Sequence, residues 1–212
     1  FLRLRRELKS MEEKDLLEKA GDLFVKYGIK SMTMDEISRQ LGISKKTLYQ
    51  YVENKKDLVK KVVQSKVAEE QDCICEMFQS TGNAIDKLMQ ITTFVGNHMK
   101  EIHPSVMFDL KKYHLEAWTC LNNHKEEFIY KNIKDNLECG MKEGLYRENM
   151  NPELVARFYL SMVSMIIDPD NAPDTTVPRE KLYEEMMRYH IRGISNSKGR
   201  EYLKQKFNQD HV

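Results

Sequence analysis

The segment from Thr33 to Val52 constrains the fold more than any other part of the chain. Thr33-Met34-Asp35-Glu36 has the form of a capping box, Gly42 ends the short helix it opens, and Ser44 starts the next helix within two residues. Two helices joined so tightly must cross steeply, which demands apolar residues at fixed points, a small residue where they touch, and Gly at the turn. Counting Met34 as the first position, Ile37, Leu41, Ile43, Leu48 and Tyr51 occupy the fourth, eighth, tenth, fifteenth and eighteenth positions. Ser38 is the small residue at the fifth, and Gly42 the turn residue at the ninth. Residues 33–52 therefore read as a helix-turn-helix.

The flanking sequence is helical as well. Leu16, Leu17, Ala20, Leu23, Phe24 and Tyr27 recur at helical spacing up to Gly28, and Ser10-Met11-Glu12-Glu13 has capping-box form, which predicts a first helix over residues 11–27. Asn54 with Asp57 opens a long helix carrying Leu58, Val59, Val62, Val63, Val67, Ile74, Met77 and Phe78 and ending near Gly82. Helical patterns continue over residues 83–101, 104–120, 123–143, 152–167 and 179–195, broken by His103-Pro104, Gly144, Asn151-Pro152 and the Asp168–Pro178 loop. No strand-like alternation interrupts them. The predicted fold is all-α: an N-terminal extension over 1–10, a three-helix helix-turn-helix domain over 11–55, and a helical-bundle domain over 56–212.

Charge is distributed unevenly along this plan. Lys and Arg number 34 against 33 Asp and Glu over 212 residues, yet residues 1–61 carry 15 basic and 10 acidic side chains, and residues 39–61 carry seven basic ones against Glu53 and Asp57. A basic end on a near-neutral chain implies a local surface for a polyanion. The outward positions of the second motif helix, Ser44, Lys45, Lys46, Thr47, Tyr49 and Gln50, supply lysines for phosphates, and hydroxyls and an amide for phosphates or base edges. These are the side chains a helix presented to double-stranded DNA requires.

Other chemistries find little support. His98, His103, His114, His124, His190 and His211 form no i, i+4 pair and no HExxH, so no metal and no cofactor is expected. G-x-S-x-G, P-loop and G-x-G-x-x-G motifs are absent, no residue reads as catalytic, and the chain is not expected to be an enzyme. Cys73, Cys75, Cys120 and Cys139 make no C-x-x-C pair and read as reduced thiols of a cytoplasmic protein. Apolar runs such as Met165-Ile166-Ile167 fall far short of a membrane span, and Phe1–Ser10 lacks the apolar core of a secretory signal.

From Gly28 to Leu58 the sequence also resembles the N-terminal signature of the TetR-type regulators, carried by Gly28, Thr33, Ile37, Gly42, Ile43-Ser44, Leu48-Tyr49, Lys55 and Asp57-Leu58. Departures are Ser38 for the usual Ala, Lys46 for a frequent Gly, Tyr51 for a frequent His and Val52 for the usual Phe. The resemblance implies a homodimeric repressor on a palindromic operator, released by a small-molecule effector. It places Thr33 and Lys55 on phosphates, Lys45, Lys46, Thr47 and Gln50 in or beside the major groove, and Tyr49 and Tyr51 against the sugar-phosphate backbone. A rival reading from another class is a helical interaction or scaffold protein without sequence-specific DNA binding.

Under the resemblance, two late stripes are candidates for the dimer contact. Val155, Phe158, Met162, Val163 and Ile166 form one, and Tyr183, Met186, Met187, His190 and Ile194 the other. The same stripes are what an intrachain core requires. Phe94, Met99, Met107, Phe108, Tyr113, Trp118, Tyr159 and Met162 are candidates to line an effector cavity, since flexible Met and flat aromatics suit an adaptable apolar site. Taken singly, each reads more readily as ordinary core.

Overall fold

The computed structural model describes residues 12–103, 105–168, 170 and 176–206. Its elements are α1 Glu13–Tyr27, α2 Met34–Gln40, α3 Lys45–Tyr51, α4 Lys55–Gln79, α5 Ala84–Glu101, α6 Ser105–Tyr113 and α7 Leu115–Asn123. A π-helical turn, His124–Ile129, leads into α8 Tyr130–Lys142, followed by α9 Pro152–Ile167, α10 Arg179–Ile194 and α11 Ser197–Lys206. Among the described residues no strand forms, and Tyr146 and Ser195 make an isolated bridge. No helix among them is long and apolar enough to cross a membrane.

Local chemistry explains most boundaries. Thr33 and Glu36 close the predicted box: the Thr33 hydroxyl accepts the Glu36 N–H, and the Glu36 carboxylate accepts the Thr33 N–H. Ser44 caps α3 by accepting the Thr47 N–H, and Asn151 with Pro152 opens α9. Helix α1 begins at Glu13 with Glu12 at the cap and no side-chain cap bond; Ser10 and Met11 of the expected box, and the 1–10 extension, lie outside the described residues. The single helix expected over 104–120 is two, parted at His114. Helix α11, which the periodicity did not signal, buries only Gly199 and Leu203 and is held from outside by the Asp86 carboxylate, which accepts from Tyr202 Oη at 2.8 Å and Lys206 Nζ at 2.7 Å.

The described residues fall into two compact units: one takes the chain to Glu69 together with His103–Leu121, the other Glu70–Ile102 and the chain from Asn122 on. Residues 103–121, placed by sequence in the regulatory part, thus cluster with the motif. In the first unit Leu16, Ala20, Phe24, Ile37, Leu48, Leu58, Val59, Leu110 and Ala117 are buried, each large side chain contributing roughly 1.5–3 kcal/mol. Helix α6 is tied down by polar contacts: His103 N–H donates to Val25 O at 2.7 Å, and the buried Asp109 carboxylate accepts the Lys30 N–H at 2.9 Å.

In the second unit α5 packs on α10 and α8 on α9, around Ile85, Leu88, Leu137, Leu160, Ile166, Tyr183, Met187 and Ile191. Tyr146 is fully buried, and its ring occupies the space that any side chain at Gly140 would need. Its hydroxyl donates to Asn136 Oδ1 at 3.1 Å, and Asn136 Nδ2 donates to Ala84 O at 2.8 Å, which fixes the start of α5. Burial pushes the Tyr146 phenol far above its ordinary value, so it stays a neutral donor.

Candidate nucleic-acid interface

The turn between α2 and α3 is built from few atoms. Gly42 adopts φ 69°, a left-handed conformation costly for residues with a Cβ. The space a Cβ would take there is open, so conformation rather than crowding selects glycine. The Ile43 N–H reaches back to Ser38 O at 3.0 Å, and buried Ser38 sits where the helices touch, its hydroxyl donating to Asp35 O at 3.0 Å. Ile37 and Leu48 are fully buried, whereas Leu41, Ile43 and Tyr51 are half-buried. This leaves one face of α3 outward.

On that face Lys45, Lys46, Tyr49 and Gln50 are exposed, together with the cap residue Ser44. Tyr49 is 44 % exposed, enough for its ring to lie on a sugar-phosphate backbone. Lys46 and Gln50 have no side-chain partner among the described residues. Others are already engaged. Lys45 Nζ pairs with Asp35 at 2.9 Å, and that hydrogen bond raises its pKa. Thr47 is half-buried, with its hydroxyl 2.8 Å from that of Ser44. The Thr33 hydroxyl donates to Glu36 Oε2 at 2.8 Å, and the bonds from Thr33 hold the Glu36 carboxyl below its ordinary value.

Lys55 is also drawn inward: Nζ donates to Lys30 O at 3.5 Å, and burial lowers its pKa against the opposing pull of Asp109 and Glu36. A phosphate meeting Thr33, Lys45 or Lys55 would have to replace an intramolecular partner. Sequence reasoning missed Asp35 and Asp109, because an acidic side chain, whether inside the basic motif or 79 residues from its partner, gives no signal of which lysine it will hold.

Comparison with known proteins decides what this geometry belongs to. Residues 16–62 match the family model described as bacterial regulatory proteins, tetR family. Over 142 residues the chain is 30 % identical to the uncharacterised HTH-type transcriptional regulator YvaF of Bacillus subtilis (strain 168), covering 66 % of this chain and 73 % of that one. The chain belongs to the TetR family. It is 24 % identical over 159 residues to the HTH-type transcriptional repressor KstR2 of Rhodococcus jostii (strain RHA1), which covers 71 % of this chain and 75 % of that one. Its fold is similar to the crystal structure of the transcriptional regulator FadR from Bacillus subtilis in complex with stearoyl-CoA, with TM-score 0.63 and 16 % identity over 84 % of this chain and 97 % of that one.

As a TetR-family chain it is a DNA-binding transcriptional regulator, and the scaffold reading is not favoured. Of the two relatives, one is named a transcriptional regulator and the other a transcriptional repressor.

The candidate dimer stripes lie in the second unit. Val163, Ile166, Tyr183, Met186, Met187, His190 and Ile194 are buried inside their own unit, because α9 and α10 each turn that stripe toward α5 and α8. Val155 and Met162 are half-buried, and Phe158 is 62 % exposed. The apolar side chains α9 leaves outward are Leu154, Phe158 and Met165, a second stripe at i, i+4 and i+11. Tyr189 of α10 is 73 % exposed. A groove of about 680 Å³ runs here, lined by Val155, Phe158, Met162, Tyr189 and Gly193 among others.

The expected effector-lining residues are divided between the two units. Met107, Phe108, Tyr113 and Trp118 lie in the motif unit, where Phe108 and Tyr113 are exposed and Lys111 stands 5.8 Å from the Trp118 ring. Phe94, Met99, Tyr159 and Met162 lie in the other, with Phe94 4.2 Å from the His98 ring and Tyr159 buried. Of the eight, only Met162 lines the groove above.

Proposed function

We propose that the protein is a cytoplasmic repressor that binds a palindromic operator as a homodimer and leaves it when a small molecule binds the regulatory part of the chain, residues 56–212. The observation that carries this reading is the outward face of α3, where exposed Lys46, Tyr49 and Gln50 meet solvent while Ile37 and Leu48 lock the helix pair beneath them. One short helix offers few base contacts, so two copies about 34–36 Å apart are needed to read successive major grooves. The exposed stripe Leu154, Phe158 and Met165 supports α9 as the place where a second copy docks. Repression and release draw support from relatives: KstR2 is named a repressor, and FadR was crystallised with stearoyl-CoA. The effector acts by favouring a state whose two recognition helices are wrongly spaced, lowering affinity by its differential binding.

The test is selection of genomic duplexes by the purified protein at near-physiological salt, beside a Lys46→Ala, Tyr49→Ala double variant. Recovery of one palindromic sequence by the parent alone supports the reading. A folded parent that enriches no sequence, with or without cell-extract small molecules, overturns it.

A further inference from the structure

The motif unit carries a second cationic surface, built from residues outside α3. At the C-terminal end of α6, Lys112 Nζ lies 5.1 Å from the Phe108 ring centroid and 5.5 Å from that of Tyr113. Lys30 Nζ lies 5.2 Å from the Tyr113 ring and 3.5 Å from its hydroxyl. The two rings meet edge-on at 6.4 Å and are 42 % and 38 % exposed. Lys30 O accepts from Lys55, and the adjoining His114 has its pKa lowered by burial and then by Lys55 and Lys56. The Lys30 and Lys112 ammonium groups thus stand over two exposed rings, with the charges of Lys55 and Lys56 acting on the adjoining imidazole.

The carboxylates near this cluster also have hydrogen-bond or ion-pair partners of their own. Asp109 is buried on the Lys30 N–H and the Ser105 hydroxyl, Glu36 is held by Thr33, and Glu116 pairs with Lys60 at 2.7 Å. Gathering like charges on a surface is costly until an anion arrives. A continuous path joins this patch to the motif, since Lys55 lies within the field of Glu36, and Glu36 is bonded to Thr33. Ammonium groups beside flat, half-exposed rings suit a sugar-phosphate backbone, with cations for phosphates and ring faces for deoxyribose.

We propose that Lys30, Lys112 and Tyr113 form a second phosphate-contacting surface, which engages the DNA backbone beyond the phosphates reached from α2, α3 and the start of α4. The assignment rests on the DNA-binding reading and lengthens its footprint. It takes the C-terminal end of α6 as part of the DNA-facing surface, and it adds affinity without adding base preference.

The experiment compares the parent with a Lys30→Ala, Lys112→Ala double variant and with Lys46→Ala, using a genomic duplex selected by the parent. Both substituted lysines are exposed and the Lys30 N–H bond to Asp109 survives, so the thermal transition is expected to stay put. The double variant is expected to lower the log-log salt slope by roughly 0.9 for each phosphate it no longer neutralises, to keep the same preferred sequence, and to lose hydroxyl-radical protection at backbone positions that Lys46→Ala still protects. Tyr113→Phe keeps the ring and is expected to lose less. An unchanged slope and footprint overturns the proposal, as does a lower slope whose missing protection coincides with that of Lys46→Ala. A parent that protects no duplex defeats the DNA-binding reading itself, an outcome visible before any variant is compared.

Discussion

Helices α3 and α9 are both amphipathic, yet they turn opposite kinds of side chain to solvent. Helix α3 buries Leu48 and presents Lys46, Tyr49 and Gln50; α9 buries Tyr159, Leu160, Val163 and Ile166 and still presents Leu154, Phe158 and Met165. A polar outward face is stable in water and waits for a charged partner. An apolar one is satisfied only by another apolar surface, and exposed patches of that kind mark association sites. The contrast separates a face suited to a polyanion from a face suited to another apolar surface.

The severest way to break this comparison is Phe158→Glu, which sets a carboxylate in the middle of the α9 face. The chain is expected to sediment as a monomer and to lose operator affinity by roughly a thousandfold, since both half-sites must be held together. Retention of the dimer would move the self-contact elsewhere. Next comes Leu48→Ala, which empties a fully buried position under α3 and should cost about 2–5 kcal/mol, read as a lower denaturant midpoint.

A third effect depends on pH. Burial pushes His190 down to about 4 from an ordinary 6.5, and its ring lies 5.3 Å from that of Tyr159. A base with a lowered folded value takes up its proton more readily when unfolded, so folding stability is complete above the unfolded value and declines as pH falls from 6.5 toward 4. Melting temperatures of a His190→Gln variant should decline less over that window, and parallel curves would remove His190 as the cause.

The smallest effects sharpen the α3 side. Lys46→Ala should reduce the salt slope by roughly 0.9, while Lys45→Ala should do less, because binding must first break the pair with Asp35. Asp35→Asn frees Lys45 and is expected to tighten binding to all duplexes by a few-fold, a small effect because an exposed pair is weak. Equal slopes for both lysine variants would show that the Asp35 pair is irrelevant.

What the sequence made legible was local. The Thr33–Glu36 box, the Ser44 cap and the Gly42 turn close within three to five residues, so their partners are visible in a line of text. The capped starts of α3 and α9 follow the same logic. What it hid was set by distant partners: Asp109 reaches the Lys30 N–H across 79 residues, and nothing near Lys55 announces that it will be drawn inward. Periodicity told that α9 and α10 have apolar stripes, but not that α5 and α8 would cover most of them, nor that Leu154 and Met165 would stay exposed. Helix α11 escaped because its sparse apolar content leaves its docking to Asp86, Tyr202 and Lys206.

Two glycines turn these faces into something heredity can report. At Gly140 even a methyl group would strike the Tyr146 ring and unseat Asn136 from Ala84, so a library of randomised variants selected for function should return glycine alone. Gly193, on the groove beside Phe158 and Tyr189, has open space around it within a single chain. Its tolerance therefore measures company rather than packing: codons that drift freely at 193 mean the groove faces water, and codons pinned to small residues mean that a neighbour has been pressing on it for as long as the lineage has existed.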